Sequence, residues 1–581
     1  MTAPPKGVLA WTVLAPAWVS SGTGWLLTPG RRSVAWALSG LLVLLALALW
    51  RTALGDGLAR WLGSSARTGR AALVLMGAAL ASFLVGSTWI PDPNTPLLLA
   101  NLLAAPALVL GAWTLTRDRG RRRLLALAAG ATFLGVGLRV VLLVAQPLPI
   151  ASADTESYLN GAHALVLDGV FQLSERRTPV FPLLYAAVVQ MGGLLPWRVV
   201  LASSGVLTAA LAGLWFLRRG EPRSAALAYS LLVLDPRALV HETLLLPGVL
   251  LTLALLAAVL ALLRGLRDSG HMGWLSLAGL LIGLAVLTKP VALAAVCACG
   301  VSIVWFVRPW SRALAGLVAG AAGAALPLGA WCVRNLFVHD YFGLTLFGGM
   351  SLLGVSGQLV DLESPLRAEE KAHIREAVIA YRAMDDLDRI NWVLRAPDGI
   401  CAQFDHYPAR ERDALFSDLA REAILHSPLR FAYSVLYRGR QYLLPHYEPT
   451  FPVPLAAEGE EARFWRSMSQ PDYVAGLTAN VGPSWGARLD ASRIADRALR
   501  IVQAAVYPLF MVLSPLGLGL LVLRRRAPEI WTPALVAWSI LALTALANVG
   551  LQRYLVPVTP LLVMAVVGAL GGSGRGTPPD I

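Results

Sequence analysis

Residues 147–185 read PLPIASADTESYLNGAHALVLDGVFQLSERRTPVFPLLY. This stretch is the first long polar interruption in a chain that otherwise consists of one apolar run after another. It carries Asp154, Glu156, His163 and the pair Arg176 and Arg177 between two strongly apolar segments. Ionisable side chains are expensive inside a bilayer. We therefore interpret the stretch as an extramembrane loop that carries functional residues.

The composition of the whole chain indicates a membrane protein. Hydrophobic residues make up 56% of the 581 residues and charged residues only 14%, against about 25% charged residues in an average soluble domain. Mean hydropathy is +0.61. Apolar runs of about 20 residues recur, and each is long enough to cross a hydrocarbon core of about 30 Å. We predict an all-α polytopic membrane protein.

The net charge of +14 comes from short basic clusters between apolar runs. Such clusters are typical of cytoplasmic loops under the positive-inside rule, and examples are Arg117–Arg123, Arg218–Arg223, Arg264–Arg267, Arg308–Arg312 and Arg524–Arg526. No basic face is interleaved with the stacking aromatics that single-strand nucleic-acid binders use, so we expect no nucleic-acid partner. The four cysteines form neither a disulfide framework nor a metal knuckle.

Hydropathy predicts about fourteen transmembrane helices with both chain ends inside. The predicted spans are 8–29, 33–50, 71–90, 96–116, 123–146, 197–217, 222–239, 242–263, 273–288, 290–307, 312–333, 499–523, 530–548 and 554–572. A proline-containing juxtamembrane or re-entrant helix is expected directly after Arg177. The domain organisation is predicted as additional N-terminal helices (1–120), a core (121–334) with an external loop (147–178), an external, mostly helical insertion (335–497), and C-terminal helices with a short tail (498–581).

Six ionisable residues lie in or beside the predicted spans: Arg139, Asp235, Glu242, Lys289, Arg334 and Arg553. In the predicted topology each falls in the outward half of its span, level with the 147–178 loop. This grouping favours a catalytic chamber that opens at the outer face over a transport site at the midplane. Simpler interpretations stay open: Arg139 as a snorkelling residue, Asp235 as a helix-end residue, which we favour, and Lys289 as an interfacial anchor.

Several motifs together resemble the C-superfamily of membrane glycosyltransferases. The closest group is that of the protein O-mannosyltransferases and the lipid A aminoarabinose transferase. The motifs are an acidic residue four before a tyrosine (Asp154, Tyr158), a basic residue before a proline-containing apolar segment (Arg177, Pro179, Pro182), a second acid (Glu242), a Thr-basic-Pro triplet (Thr288, Lys289, Pro290), an Arg-Asn exit from a span (Arg334, Asn335) and an Arg-Tyr entry to a late span (Arg553, Tyr554). The match covers about 123–350 and 540–570.

Three positions depart from the pattern of these families. The mannosyltransferases have adjacent acids where this chain has Asp154-Thr155-Glu156. The aminoarabinose enzyme has lysine at the position of Arg177, and Thr178 stands where the pattern has a proline.

The resemblance implies a glycosyltransferase-C-like helical bundle and a reaction. A sugar would move from a polyprenyl-phosphate donor to a protein, lipid or glycan acceptor at the outer face of a bacterial cytoplasmic membrane. Asp154 is the expected base, and Glu156 or Glu242 would stabilise the oxocarbenium-like charge. Tyr158 would orient the base.

The expected donor-phosphate ligands are Arg176, Arg177, Lys289, Arg334 and Arg553. We expect no required cofactor. A divalent metal stays possible, since Asp154, Glu156, Glu242, His163 and His241 offer ligand atoms without a fixed metal spacing.

Two other classes of function compete with the enzyme. A transporter or flippase of lipid-linked saccharides would also need outer-face cations and a hydrophobic scaffold, but it would have no chemical step to lose when Asp154 is changed. An envelope-assembly protein with a decayed site would tolerate changes at Asp154 and Arg177 together.

Overall fold

The computed structural model describes residues 121–145, 155, 157–159, 162, 165, 173, 175–192, 194–267, 271–383, 399–440, 527–547 and 554–571. The spans predicted within 1–120 and at 499–523, and the insertion beyond residue 440, lie outside these ranges. Within them the chain forms helices and connecting turns, with no extended strand. This confirms the all-α class.

The α-helices, numbered over the described residues, follow the predicted spans closely. They are α1 (Arg121–Ala145), α2 (Val180–Gly192), α3 (Leu194–Arg218), α4 (Pro222–Val233), α5 (Pro236–His241), α6 (Gly248–Arg267), α7 (Met272–Thr288), α8 (Leu293–Phe306), α9 (Trp310–His339), α10 (Gly348–Ser356), α11 (Ala368–Ala383), α12 (Ala409–His426), α13 (Pro428–Arg440), α14 (Pro528–Ala547) and α15 (Thr559–Gly571). By length and composition, the described part contains four helices able to cross a membrane: Pro196–Arg218, Gly248–Arg267, Trp310–His339 and Pro528–Leu546.

The region of the predicted spans 222–239 and 242–263 differs in detail from the sequence expectation. Helix α4 ends at Val233, and Asp235 then caps the short helix α5 by accepting a hydrogen bond from the Arg237 amide at 3.0 Å. This confirms Asp235 as a helix-end residue. Pro236 lacks an N–H and cannot continue α4. Residues 242–247 form a buried turn, and α6 begins only at Gly248. Hydropathy missed the turn because Leu244, Leu245 and Leu246 extend the apolar run that continues into α6.

Helices α7 and α9 run parallel and approach each other through small residues. A Cβ atom added to Gly279 would lie 1.9 Å from the Gly320 carbonyl oxygen, and one added to Gly323 would lie 2.1 Å from that of Ser276. The space left by Gly283 accommodates the ring of Pro327, which lies inside α9. Close backbone approach through small residues stabilises helix pairs in a bilayer, where lipid removes most of the hydrophobic drive.

The bundle has two chemically different ends. At the loop end lie the C-termini of α1, α7 and α9, the N-termini of α3, α6 and α15, and the described residues of the 147–178 loop. At the arginine end lie the C-termini of α3, α6 and α8 and the N-termini of α4, α7, α9 and α14. Basic residues cluster at the arginine end: Arg218, Arg219, Arg223, Arg264, Arg267, Arg308 and Arg312. The helix directions therefore collect the basic clusters of the sequence on one side.

The described part of the insertion forms a small helical unit with its own core. Leu353 of α10, Ile374 of α11 and Phe416 of α12 are buried in this core. Helix α13 attaches the unit to the bundle, because buried Arg438 donates hydrogen bonds to the carbonyl oxygens of Ala545 at 2.9 Å and Val355 at 3.3 Å. The described part of the insertion is thus helical, as expected, and is joined to the loop end. That its helices lie on the bilayer surface stays a prediction.

Candidate functional site

Arg177 is held in place by the loop that precedes it. Its Nε donates a hydrogen bond to Ser157 Oγ at 2.8 Å, and its guanidinium lies over the Tyr158 ring, 4.2 Å from the centroid. The Phe347 ring lies 5.9 Å away. A guanidinium is planar and stacks on aromatic faces. Tyr158 therefore supports the Arg177 guanidinium directly, a contact that the sequence analysis did not predict.

Tyr158 rests on an aromatic cluster inside the bundle. Its ring meets Phe181 edge-on at a centroid distance of 5.4 Å, Phe181 meets Trp197 at 5.5 Å, and Trp197 meets Tyr185 at 5.4 Å. All four rings are buried, and edge-to-face geometry is the favoured arrangement of such pairs. These ring contacts consequently fix the loop, α2 and α3 to one another next to Arg177.

The backbone just before Arg177 is held by the chain that leaves α9. The Leu346 amide donates to the Glu175 carbonyl at 2.8 Å, and the Tyr341 hydroxyl reaches the same oxygen at 3.4 Å. Asn335 Nδ2 donates to the Tyr341 hydroxyl at 3.0 Å and to the Gly343 carbonyl at 2.7 Å. Burial raises the pKa of Tyr341 to about 12, with the Glu175 charge adding to the effect, so the hydroxyl keeps its proton for this bond.

Two further cations lie where α7 and α9 end at this loop. Lys289 follows α7, and its Nζ lies 4.4 Å from the centroid of the Tyr554 ring. Arg334, in the last turns of α9, lies 4.8 Å from the Trp331 ring centroid and donates to Asn335 Oδ1 at 3.0 Å. Leu173, Leu287 and Trp331 share one buried cluster, so these helix ends meet the loop. The loop end thus gathers cations that are each supported by an aromatic ring.

Glu242 lies in a separate, buried polar group beside the loop. Its Oε1 accepts a hydrogen bond from Arg139 Nη2 at 2.6 Å, and its backbone carbonyl accepts one from Arg198 Nη1. The Glu242 and Arg139 side chains are 3% and 5% exposed. Arg139 is therefore a buried ion-pair partner and not a snorkelling residue.

The structure brings several of the sequence-predicted residues together and omits others. Tyr158 and Arg177 are in contact, and Lys289 and Arg334 lie at the helix ends that pack on the same loop. Arg176 is nearby, with its side chain 37% exposed and its Nε 3.9 Å from Glu175 Oε1. Asp154, Glu156 and Arg553 lie outside the described residues, as does His163 among the possible metal ligands.

The sequence reasoning missed three contributors to this region. Arg198 lies near the start of a predicted span, so it could have been singled out by the same criterion as the other ionisable residues in spans. Trp331 and Tyr341 support Arg334 and Glu175, but an aromatic residue near a helix end is too common to single out without the fold. Trp331 also donates to the Leu344 carbonyl oxygen, 13 residues away, and Tyr341 donates to that of Glu175, 166 residues away along the chain.

Comparisons with known proteins support the resemblance in the core of the chain. Residues 191–325 match the family model described as dolichyl-phosphate-mannose-protein mannosyltransferase. This region covers Glu242 and the Thr288-Lys289-Pro290 triplet, and it confirms the expected similarity to that group there. No curated protein matches the sequence.

A solved structure is also similar to the chain. It is described as the crystal structure of ArnT from Cupriavidus metallidurans bound to undecaprenyl phosphate. The identity is 16%, the match covers 76% of this chain and 78% of that chain, and the TM-score is 0.31.

Proposed function

We propose that the protein is a multi-pass membrane glycosyltransferase that moves a sugar from a polyprenyl-phosphate donor to an acceptor hydroxyl at the outer face of a bacterial cytoplasmic membrane. The observation that carries the proposal is the grouping of ring-supported cations, Arg177, Lys289 and Arg334, beside the loop that bears the acidic residues. The match of residues 191–325 to the mannosyltransferase family model supports the reaction class.

The cations suit the phosphate of the donor. When the bond between the anomeric carbon and the phosphate oxygen breaks, its electron pair leaves on the phosphate. Guanidinium groups bind phosphate oxygens through paired N–H donors, and fixed cations stabilise a charge that grows in the transition state. Arg177 is oriented by Ser157 and Tyr158 before any substrate arrives. Phosphate binding by side chains is why we propose that no metal is required.

The proton of the acceptor hydroxyl needs a base. In our proposal Asp154 takes this proton as the acceptor oxygen bonds to the anomeric carbon, and Glu156 faces the oxocarbenium-like charge. The residue between them is fixed, because Thr155 Oγ1 donates to the Leu245 carbonyl at 3.1 Å. This contact ties Thr155 to the turn that follows Glu242.

We infer the orientation from the charges at the two ends of the bundle. Seven arginines mark the arginine end: Arg218, Arg219, Arg223, Arg264, Arg267, Arg308 and Arg312. Positively charged segments stay predominantly on the cytoplasmic side. We accordingly assign the arginine end to the cytoplasm and the loop end to the outer face.

The reaction is tested by a transfer assay on purified protein in lipid. Radiolabelled polyprenyl-phosphate sugars are offered to wild type, Asp154→Asn and the surface control Glu363→Gln, with water or membrane extract as acceptor. We expect label to leave the lipid with wild type and the control, with and without a chelator, and to stay with Asp154→Asn. Turnover by Asp154→Asn equal to that of wild type would refute the assignment of Asp154 as the base. If labelled lipid changes leaflet without any transfer, the protein is a flippase and not a glycosyltransferase.

The orientation is tested by labelling single cysteines in intact cells with a membrane-impermeant maleimide. The background lacks all four native cysteines, and Glu363→Cys and Ser311→Cys are compared because both side chains are exposed at opposite ends and neither change removes an arginine. We expect Glu363→Cys to react and Ser311→Cys to react only after lysis. The reverse pattern would place the loop end in the cytoplasm.

A further inference from the structure

The carboxylate of Glu242 is enclosed by α1 and α3. Its partner Arg139 binds it at 2.6 Å through Nη2, while Nη1 of the same side chain donates to the carbonyl oxygens of Gly135 at 3.0 Å and Val233 at 2.7 Å. The guanidinium thus connects α1, the end of α4 and the turn that begins at Glu242. A charged group that bridges three elements in this way fixes their relative positions.

Helix α3 closes the other side of the same group. A Cβ atom added to Gly205 would lie 1.8 Å from Glu242 Oε1, so the carboxylate occupies the space that the missing side chain leaves. Arg198, also on α3 and buried, donates to the backbone carbonyl of Glu242. The side chain and the main chain of Glu242 are therefore both held.

The turn that Glu242 begins reaches the catalytic loop three residues later. The Leu245 carbonyl accepts the hydrogen bond from Thr155 Oγ1 at 3.1 Å, and the Leu245 side chain lies in the aromatic cluster with Tyr158. Tyr158 in turn supports the Arg177 guanidinium. A continuous set of contacts consequently joins the buried ion pair to the segment that adjoins Asp154.

We propose that Glu242 is a positioning residue and that Arg139, Arg198 and Glu242 together hold the 242–245 turn, which holds the loop bearing the catalytic acid. The proposal rests on the proposed glycosyl transfer. It differs from the role that the resemblance implies for Glu242, since its carboxylate is 3% exposed, is ion-paired with Arg139 and lies against Gly205, which leaves little of its surface for a substrate.

Variants of the pair separate positioning from direct catalysis. Arg139→Met leaves an uncompensated buried carboxylate, whereas Arg139→Met combined with Glu242→Leu leaves no charge, and replacing both partners of a buried pair is far better tolerated than removing one. We expect Arg139→Met to lower kcat about 30-fold and the double variant to recover at least about 10-fold of this, at unchanged KM for the donor. A double variant no more active than Arg139→Met would overturn the proposal.

A second variant covers the case in which the apolar pair does not fold. Glu242→Gln keeps the shape of the side chain and an oxygen that accepts from Arg139. We expect its kcat to fall less than about 10-fold, while loss of a carboxylate that acts on the reacting atoms costs about 100- to 10,000-fold. A fall in the larger range, with the thermal midpoint unchanged, would make Glu242 a catalytic residue and refute the positioning role.

Hydrogen exchange gives a readout that does not depend on turnover. We expect Arg139→Met to lose amide protection in peptides covering residues 155–165, while α8, which does not contact the ion pair, exchanges as in wild type. Unchanged protection at 155–165 would refute the positioning role even if transfer were lost. Absence of transfer by the wild type on every donor would instead refute the proposed function, and the exchange result would still decide whether the ion pair orders the loop.

Discussion

The two ends of the bundle each contain an ion pair that joins distant parts of the chain, and the two pairs differ in what surrounds them. At the loop end, Arg139 and Glu242 approach to 2.6 Å with side chains 5% and 3% exposed. At the arginine end, Arg219 and Glu529 also approach to 2.6 Å, but their side chains are 13% and 11% exposed. Arg219 additionally contacts Glu221 at 3.1 Å.

The difference shows that the distance within a pair does not determine its role. Arg219 has a second carboxylate partner, Glu221, so loss of the Glu529 charge leaves it paired. Arg139 is bound to two backbone carbonyls, and Glu242 fills the space beside Gly205. A buried charge that loses its partner is strongly destabilising, whereas a charge that keeps a second partner is still compensated. The loop end is therefore the end at which single substitutions should matter most.

Arg177→Ala at the loop end should have the largest effect. The substitution removes a phosphate ligand that is already oriented by Ser157 and Tyr158, and we expect kcat/KM for the lipid donor to fall about 100-fold or more. The exposed Arg410 of the insertion supplies the control, and kcat/KM of Arg410→Ala should fall less than about 3-fold. Equal losses for the two variants would show that general positive charge, and not orientation, binds the donor.

Gly205→Ala tests the packing of the loop-end pair. The new methyl group would overlap Glu242 Oε1, so we expect a lowered thermal midpoint and transfer reduced about 30-fold. Gly213→Ala on the same helix is the control, because its Cβ would lie 3.1 Å from Tyr229 Cβ and needs only a small adjustment. Unfolding monitored by tryptophan fluorescence, together with the transfer rate, measures both. A Gly205→Ala protein as stable and active as Gly213→Ala would contradict the enclosed carboxylate.

Asn335→Leu should have an intermediate effect at the loop end. The change removes the amide donors that hold Tyr341 and Gly343, and with them the support of the Glu175 backbone, so we expect kcat/KM to fall about 10-fold. Tyr341→Phe removes only the longer bond to Glu175 and one contact with Asn335, and it should cost about 3-fold. If Tyr341→Phe is the more harmful change, the hydroxyl has a role beyond holding this backbone.

Glu529→Gln at the arginine end should have the smallest effect. Arg219 keeps Glu221 as a partner, so we expect transfer within about 2-fold of wild type and a thermal midpoint lowered by only a few degrees. The transfer rates of Glu529→Gln and Arg139→Met are measured in the same lipid, so that the two ends are compared directly. A loss of transfer similar to that of Arg139→Met would show that the two ends are coupled.

Much of the helical architecture could be predicted from the sequence. Long apolar runs predicted the helices that became α1, α3, α7, α9 and α14, since a bilayer-spanning segment must satisfy its own backbone hydrogen bonds. The failures lie in the bounds of the predicted spans 222–239 and 242–263, because the helix ends at Val233 and residues 242–247 form a turn. Three leucines of the turn, Leu244 to Leu246, extend the apolar run of the following helix, so hydropathy placed a span where the chain turns.

The candidate site was only partly predictable for the same kind of reason. Ionisable residues in apolar surroundings attracted attention to Arg139, Glu242, Lys289 and Arg334, because such residues need partners. The identity of each partner was not readable: Arg139 and Glu242 are 103 residues apart, and Gly205 shows no signal of the carboxylate it accommodates.

The sequence by itself determined that this is a helical membrane protein, which residues are charged near the ends of its spans, and which end of the bundle collects arginine. These properties depend on local composition and on the energetic cost of charge in lipid. Only the tertiary structure decided that Arg177 is supported by Tyr158, that Lys289 and Arg334 lie at the same loop, and that Glu242 is enclosed. Those outcomes depend on which helices pack together, and side-chain contacts between distant segments are fixed by that packing alone.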